Sequence, residues 1–331
     1  MDKILVVGGG SWGTAFANYL SRNSRRIKLW LREEEIIGAI KNTRENPVFL
    51  PGIKLSGNLL PVANLEEEAE AADILIFAVP SKFIRRIFER LKGIAEAKTI
   101  VNLTKGFESA SLKTISQLAA EVSGEDILRS WVTISGPSFA RELAQNHPTA
   151  VAAASKNEKV AQKIQHEFSS ETLRIYRTDD LVGIEVGGSM KNVMAIASGI
   201  VNGSGYGYNT TASLVTRGSV EIARIGHKLG ARRETFWGLA GIGDLMLTCF
   251  GSLSRNFQLG VKIARGQSLE TIEKTTQMVA EGVETTRAMK DLSDRLGIEM
   301  PITTQVHEVL FNRKKPESGL KELMTRSLKA E

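Results

Sequence analysis

The segment that most constrains this chain is a glycine pattern, G-x-G-x-x-G, at residues 8–13. The apolar run Ile4–Val7 precedes it, and a helix-forming run at residues 14–20 follows it. A strand that turns directly into a helix presents the first amide N–H groups and the positive dipole end of that helix to a ligand, which suits a pyrophosphate. The pattern in this position predicts a dinucleotide-binding strand–turn–helix, and it leaves flavin and nicotinamide cofactors both open.

Each glycine of the pattern has a predicted task. We expect Gly8 to make the tight turn and Gly10 to leave space where the pyrophosphate comes closest. We expect Gly13 to let the new helix pack against the strand. A glycine-rich turn without any ligand is the alternative.

Length and composition predict a two-domain cytoplasmic protein. The 331 residues are about twice the usual domain length, and 42% of them are hydrophobic. The single cysteine, Cys249, excludes an internal disulfide and a cysteine-rich zinc site. The strand expected at Ile4–Val7 leaves no room for a signal peptide before it, which also favours the cytoplasm.

Two kinds of partner are not expected from the charge pattern. The net charge is +6, but the lysines and arginines are scattered and interrupted by acidic clusters, so we expect no nucleic acid. The longest uncharged stretch, residues 192–216, contains asparagines, serines and a glycine loop at residues 203–207. We therefore expect a buried helix and loop there, with no membrane insertion.

Short apolar runs alternate with helical segments in the first half of the chain, a rhythm typical of a doubly wound α/β sheet. The expected strands are residues 4–7, 27–31, 74–79, 99–103, 131–134, 150–154 and 173–176. Helical periodicity dominates beyond residue 179. The expected helices there are residues 190–201, 213–229, 255–264, 284–296 and 302–311. We predict an α/β fold, with an N-terminal Rossmann-type doubly wound sheet in a dinucleotide-binding domain at residues 1–178 and an all-α C-terminal domain at residues 179–331.

Lys191 is the only charged side chain between Glu185 and Arg217, and its neighbours in sequence are largely apolar. A lysine in such a helix either extends its amine to the surface or faces a pocket. Loss of hydration in a pocket favours the neutral amine and suits the group to proton transfer. We favour the pocket, because Asn192 offers a neutral hydrogen-bonding partner.

Asp244 is isolated in a similar way, between Glu234 and Arg255. A buried carboxylate needs a cationic or hydroxyl partner. The alternative is that Asp244 caps a helix after Gly243. Lys105 follows the strand expected at residues 99–103, at the carboxyl end where open α/β sheets bind ligands, although a surface lysine in a turn also fits.

Two further polar segments suit an anionic ligand. The Ser-Arg-Asn triplet at residues 254–256 would gather a hydroxyl, a guanidinium and a carboxamide at a helix start, although Ser254 could simply cap that helix. Residues 136–140 follow the strand expected at 131–134 and expose backbone at the same sheet edge. The four histidines show no metal-ligand spacing, so we expect no metal. No common hydrolase arrangement is present, which argues against a hydrolase.

Seven segments, taken in order, resemble the bacterial NAD(P)-dependent sn-glycerol-3-phosphate dehydrogenases. They are residues 8–13, 104–106, 135–138, 187–192, 241–245, 254–256 and 279–282. The resemblance runs from about Lys3 to Leu310, and seven ordered motifs are far more specific than one. It implies reversible hydride transfer between a nicotinamide and the keto carbon of dihydroxyacetone phosphate, which gives sn-glycerol 3-phosphate for phospholipid synthesis. It also implies that no metal is needed and that the protein is a homodimer.

The resemblance also implies roles for single residues. Lys191 would be the proton acceptor in alcohol oxidation, with Lys105 and Asp244 as the other catalytic groups. The implied substrate-binding residues are Lys105, Gly136, Ser138, Lys191, Asp244, Ser254, Arg255 and Asn256. The implied cofactor-binding residues, with the glycines of the loop, are Gly8, Gly10, Ser11, Trp12, Gly13, Arg32, Lys105, Ala140, Arg255, Val279 and Glu281. Asp244 would orient either Lys191 or a substrate hydroxyl.

The sequence departs from the family pattern at two places. Arg32 could pair with the 2′-phosphate of NADP, but Glu33 beside it could repel that phosphate or bind an NAD ribose, so the expected cofactor is NADP or NAD with a lean to NADP. Thr211 stands where relatives often have a basic residue, which predicts a weaker substrate contact there.

Two other functions stay open at this point. A related β-hydroxyacid dehydrogenase would also pair a Rossmann domain with a helical domain and a catalytic lysine, and its substrate would carry a carboxylate. A dinucleotide-sensing module without turnover is the second. A sensor would not need Lys191, which argues against it.

Overall fold

The computed structural model of the protein describes residues 2–22, 25–275, 280–328 and 330. The chain divides into two compact units. The first comprises Met1–Lys105 and Lys113–Glu185, and the second comprises Gly106–Leu112 and Val186–Glu331.

The described strands, β1 to β10 in chain order, are Ile4–Val7, Ile27–Trp30, Leu59–Val62, Ile74–Phe77, Thr99–Asn102, Phe107–Glu108, Lys113–Thr114, Trp131–Ser135, Thr149–Ala154 and Leu173–Thr178. The described α-helices, α1 to α15, are Ser11–Ser21, Glu34–Thr43, Leu65–Glu70, Ser81–Arg90, Ile115–Ser123, Ala140–Ala144, Glu158–Phe168, Leu181–Gly203, Tyr208–Lys228, Asp244–Phe250, Arg255–Ala264, Leu269–Thr275, Glu281–Leu296, Pro301–Phe311 and Pro316–Met324.

One large sheet forms the centre of the first unit, in the strand order β10-β9-β8-β5-β4-β1-β2-β3. In this sheet the strands β3, β2, β1, β4, β5 and β8 run parallel to one another, β9 runs antiparallel to β8, and β10 runs parallel to β9. The central strand β1 pairs Ile4 with both Ile27 and Ile74, and all four of its residues are buried. Continuous apolar runs of this kind are typical of strands covered on both faces. The order β3-β2-β1-β4-β5-β8 is that of the Rossmann fold, which confirms the predicted fold class.

One strand of this sheet was not predicted. Strand β3 has four residues with Pro61 among them, and Leu59 is buried while Leu60 is exposed. The strand lies at the edge of the sheet, where a proline is tolerated because no neighbour needs its missing N–H group. A short run interrupted by proline carries little strand signal in the sequence.

Helix α8 is longer than the predicted helix at residues 190–201. It continues through Gly187, where a Cβ atom would lie 2.5 Å from the carbonyl oxygen of Ala240. It crosses α11 closely, because Cβ atoms at Gly199 and Gly260 would lie 2.0 and 2.1 Å from backbone oxygens of the opposing helix. These glycines permit close helix packing, and the crossing brings the start of α11 near the middle of α8.

The fold of the second unit is helical, as predicted. It also holds the short strand β6, which packs against α13 and buries Phe107. In the part of the chain that the structure describes, no helix has both the length and the apolar character needed to cross a bilayer.

Candidate active site

Lys191 and Asp244 form a buried ion pair within the helical unit. The Nζ atom of Lys191, on α8, contacts the Oδ1 atom of Asp244, the first residue of α10. The exposed fraction of the side chain is 9% for Lys191 and 0% for Asp244. A lone buried charge is costly, and each of these groups offsets the burial cost of the other. The predicted cationic partner of Asp244 is therefore Lys191, and Gly243 takes the helix-capping position instead.

A distorted turn sets the position of Asp244. A π-helical turn, Leu239–Gly243, precedes α10, and Gly241 within it has the non-helical angles φ −97° and ψ −106°. A Cβ atom at Gly241 would lie 2.2 Å from the carbonyl oxygen of Phe236, so this turn requires glycine. One turn later the hydroxyl of Thr248 donates to the carbonyl oxygen of Asp244 at 2.6 Å. Turns of π-type are frequent at functional sites because they redirect a side chain.

Cys249 lies next to this pair in α10 and is fully buried. Burial raises the pKa of its thiol. The charge of Lys191 lowers this pKa and the charge of Asp244 raises it, and both effects are smaller than that of burial. The hydroxyl of Ser198 donates to its backbone carbonyl at 2.8 Å. Since the neutral thiol is a poor nucleophile, this fully buried cysteine serves packing in the helical unit.

Three helices meet at the backbone of Asn192, the residue after Lys191. The Oδ1 atom of Asn256, in the first turn of α11, accepts the N–H of Gly282, in the first turn of α13, at 2.9 Å. A Cβ atom at Gly282 would lie 2.7 Å from that oxygen and 2.8 Å from the carbonyl oxygen of Asn192 on α8. With its oxygen bonded to α13, Asn256 would meet an anion through its NH2 donors.

Ser254 caps the start of α11, which is the alternative role that the sequence allowed for it. The hydroxyl of Ser254 accepts the N–H of Phe257 at 3.2 Å. Arg255 is exposed and begins the helix. The triplet at residues 254–256 therefore gathers a cap, a cation and an amide at one helix start, which is a favourable place for a phosphate.

Residues 106–112 belong to the helical unit although they follow β5 in the chain. The N–H of Gly106 donates to the hydroxyl of Ser189 on α8 at 2.8 Å. The hydroxyl of Ser109 donates to Glu284 on α13 at 2.8 Å. Sequence reasoning missed this segment, because isolated serines give no signal of distant partners.

The glycine loop of the first unit has the predicted backbone. Gly8 has a φ of +116°, and a Cβ atom there would lie 2.6 Å from the carbonyl oxygen of Ala78. A Cβ atom at Gly13 would lie 2.0 Å from the carbonyl oxygen of Gly8, so α1 packs directly on the turn. A Cβ atom at Gly10 would meet nothing within 4 Å. This open space before the N-terminus of an eleven-residue helix fits a dinucleotide pyrophosphate.

The other predicted residues of the first unit follow parallel strands and share their carboxyl edge. Lys105 is half-buried after β5, in a loop held by Thr104, whose hydroxyl donates to the carbonyl oxygen of Val79 at 2.9 Å. Gly136 follows β8 with a φ of +151°, and Ser138 donates to its carbonyl oxygen at 2.8 Å. The remaining predicted positions at this edge are Ser11 and Trp12 in the first turn of α1 and Ala140 at the start of α6.

Arg32 and Glu33 pair with each other after β2. The Glu33 carboxylate accepts from Nη2 of Arg32 at 2.9 Å and from Nε at 3.2 Å. The Arg32 side chain is 74% exposed.

Three predicted contact positions remain in the second half of the chain. Glu281 begins α13, and Thr211 is buried in α9. Val279 lies outside the described residues.

A buried carboxylate in the first unit was not predicted. Glu185 accepts the Ser116 hydroxyl at 2.6 Å, the Ser116 N–H at 3.2 Å and the Thr133 hydroxyl at 3.0 Å. Burial raises the pKa of Glu185, and these hydrogen bonds oppose the shift. Hydroxyl residues are too common in sequences for such a cluster to be read from spacing. No group of three or more His, Cys, Asp or Glu side chains suited to a metal occurs in the described ranges.

Comparison with known proteins identifies a family for both halves of the chain. Residues 3–161 match the family described as the NAD-dependent glycerol-3-phosphate dehydrogenase N-terminus, and residues 180–321 match its C-terminus. The glycerol-3-phosphate dehydrogenase (NAD(P)+) of Geobacter sp. strain M21 is 44% identical over 331 residues, which is 100% of this chain and 99% of the relative. The enzyme of that name from Citrifermentans bemidjiense has the same identity and coverage.

A solved structure agrees with these sequence relatives. The glycerol-3-phosphate dehydrogenase of Coxiella burnetii superposes with a TM-score of 0.93 at 33% identity. The match covers 98% of this chain and 99% of that one.

Proposed function

This chain belongs to the family of NAD-dependent glycerol-3-phosphate dehydrogenases, and we propose that its Lys191–Asp244 pair moves the proton in the family's reaction. The protein is an NAD(P)-dependent oxidoreductase that interconverts dihydroxyacetone phosphate and sn-glycerol 3-phosphate. The observation that carries the proposal is the burial of one amine against one carboxylate in an otherwise largely apolar setting.

Lys191 acts as the acid in reduction and as the base in oxidation. The nicotinamide, when bound, supplies or accepts the hydride at the substrate carbon. Negative charge then develops on the carbonyl oxygen during reduction, and the Lys191 ammonium neutralises and protonates it. In the reverse direction the neutral amine accepts the proton of the substrate hydroxyl. The buried Asp244 carboxylate orients the amine and stabilises its charged form, because water is excluded from the pair.

The start of α11 binds the substrate phosphate. Arg255 supplies the charge, and Asn256, fixed by its bond to Gly282, supplies an oriented amide. Ser254 fixes the helix start around both residues. Lys105, Gly136 and Ser138 complete the proposed substrate-binding set with Lys191 and Asp244.

The glycine loop binds the pyrophosphate of the cofactor, and the open space at Gly10 supports this assignment. The further proposed cofactor contacts are Ser11, Trp12, Arg32, Lys105, Ala140, Arg255, Val279 and Glu281. We assign a lean to NADP(H), because Arg32 can pair with a 2′-phosphate. Glu33 limits that preference, since it already accepts two N–H groups of Arg32.

The proposal also covers the roles of the two domains, the cellular compartment and the oligomeric state. Residues 1–178 carry the cofactor, and residues 179–331 carry the substrate-binding and catalytic helices. The protein works in the cytoplasm as a homodimer. Large apolar side chains exposed on the helical unit, Trp237, Met246, Phe250 and Leu253, support self-association. Light scattering during size-exclusion chromatography measures the molar mass of the protein and so tests the homodimer. The mass of a single chain would refute it.

Initial rates test the function. We expect oxidation of NADPH or NADH, followed by absorbance, to depend on dihydroxyacetone phosphate. A 2-keto acid and cofactor alone are the controls. Absence of turnover with both reduced cofactors would refute the activity, and a faster rate with the keto acid would refute the phosphate site at α11.

A further inference from the structure

A buried polar triangle lies directly beneath the glycine loop of the first unit. The Nδ2 group of Asn46 donates to the carbonyl oxygen of Gly9 at 3.0 Å and to the hydroxyl of Thr14 at 2.9 Å. The Thr14 hydroxyl in turn donates to the same Gly9 oxygen at 2.9 Å. Both side chains are 0% exposed.

The orientation of the Asn46 carboxamide follows from its donors and acceptors. Its two N–H protons go to Gly9 and Thr14, and its Oδ1 atom accepts the N–H of Phe49 at 3.0 Å. A flipped amide would place its oxygen against the Gly9 carbonyl oxygen and its NH2 group against the Phe49 N–H, so the bonds to Gly9 and Phe49 would both be lost. The Asn46 side chain therefore has one orientation. Asn46 lies more than thirty residues away in sequence from the glycine loop that it holds.

The triangle fixes the direction of a backbone N–H group. The carbonyl of Gly9 and the N–H of Gly10 belong to one trans peptide, in which these two groups point in opposite directions. Two donors hold the Gly9 oxygen towards the interior, so the Gly10 N–H points to the opposite side. Gly10 precedes α1, and a Cβ atom there would meet open space.

We propose that Asn46 is a positioning residue for the pyrophosphate-binding loop, acting with Thr14. The pair holds the Gly9–Gly10 peptide in the orientation that presents its N–H to an anion before the protein meets its cofactor. Such preorganisation lowers the ordering cost of binding. This role rests on the proposed cofactor site, and neither residue would touch the ligand.

Binding of cofactor fragments to the whole protein tests this role by calorimetry. ADP-ribose contains the pyrophosphate, whereas AMP does not. We expect Asn46→Ala and Thr14→Val to raise the Kd of ADP-ribose by about tenfold and that of AMP by less than about twofold. Thr14→Ser keeps the hydroxyl and should bind ADP-ribose as the unchanged protein does.

Asn18 offers a matched control. It is also a fully buried asparagine of this unit, and its Oδ1 atom accepts the N–H of Ser56 at 2.8 Å, away from the loop. Asn18→Ala should lower the thermal midpoint as Asn46→Ala does and leave the Kd of ADP-ribose unchanged. If Asn46→Ala does not fold, Thr14→Val decides the question.

The outcomes separate this role from the cofactor site itself. An unchanged Kd for ADP-ribose in folded Asn46→Ala or Thr14→Val would overturn the positioning role, and so would equal weakening of ADP-ribose and AMP. Failure of the unchanged protein to bind ADP-ribose would instead refute the proposed cofactor site.

Discussion

The carboxylate of Asp244 lies against the amine of Lys191 although the two residues are 53 positions apart in the sequence. Both side chains are buried in the helical unit, and each charge compensates the burial cost of the other. One contact thus serves the stability of the unit and the chemistry proposed for it, and substitutions can separate these two roles.

Replacing Lys191 by Met should lower kcat by at least about 100-fold, because the proton donor is lost. The Kd of NADPH, measured by calorimetry, should stay within about twofold, since Lys191 lies outside the glycine loop. Near-normal turnover in Lys191→Met would sink the catalytic assignment.

Stability measurements on the same pair provide the control. Asp244→Leu leaves the ammonium buried without its compensating carboxylate and should reduce the free energy of unfolding by about 3 kcal/mol. The double variant Lys191→Met/Asp244→Leu should recover most of that loss, because neither charge remains, and should stay inactive. Urea unfolding measures both values, and equal stability of the single and double variants would contradict the coupling.

Two alanine substitutions in the glycine loop should have different effects, one on cofactor affinity and the other on stability. Gly10→Ala adds a methyl group to open space, so the free energy of unfolding should change by less than about 0.5 kcal/mol while the Kd of NADPH rises. Gly13→Ala places a methyl group 2.0 Å from the carbonyl oxygen of Gly8 and should destabilise the protein by about 3 kcal/mol. Denaturation and calorimetry distinguish the two, and unchanged cofactor affinity in Gly10→Ala would argue against a ligand in that space.

Glu33→Gln should increase the preference for NADPH over NADH. The substitution removes the charge that competes for Arg32, and an exposed pair of this kind is worth at most about 1 kcal/mol, or about fivefold in the ratio of kcat/KM values. Arg32→Ala should shift the ratio the other way. Steady-state kinetics with both cofactors measure it, and a ratio that falls in Glu33→Gln would contradict the competition.

Asn256→Asp should weaken the substrate selectively. The new carboxylate can still accept the Gly282 N–H, so the local fold is kept, but it repels a phosphate and lacks the amide donors. We expect the KM for dihydroxyacetone phosphate to rise by about tenfold or more, with the Kd of NADPH unchanged. Equal loss of both affinities would indicate a structural effect on α13.

The stability of the protein should depend on Glu185 as pH changes. Burial raises the pKa of this carboxyl above its usual range, so the folded state binds the proton more tightly than the unfolded chain does. The stability that this group contributes is fully present below the unfolded pKa and is lost as pH rises through the raised folded pKa.

Glu185→Gln should remove that loss. The thermal midpoint of the variant, relative to the unchanged protein, should increase as pH rises from about 5 to about 8, measured by calorimetry. Glu221 also has a pKa raised by burial, although the N–H groups of Ile302 and Thr303 oppose the shift, so part of the dependence should persist. A difference that shrinks with rising pH would contradict the sign.

Much of the fold could be predicted from the sequence because its strands are buried on both faces and stand out as apolar runs. Strand β3 was not predicted because Pro61 interrupts its apolar run. Helix α8 was predicted too short because its glycines, which permit close packing, do not look like helix-forming residues in the sequence. Lys191 and Asp244 were each conspicuous, but sequence spacing could not reveal that they pair. Asn46 and Glu185 gave no signal at all, since their partners are backbone groups and common hydroxyls.

The placement of Phe107 has a consequence for how such a chain can be divided. Residues 106–112 are encoded among the strands of the first unit, yet Phe107 is buried in the second, against α13. A fragment ending at residue 178 would carry this phenylalanine without the helix that covers it, and a fragment beginning there would have a gap in its core. Recombination of such enzymes between species would therefore succeed best when strand β6 and helix α13 are inherited from the same parent.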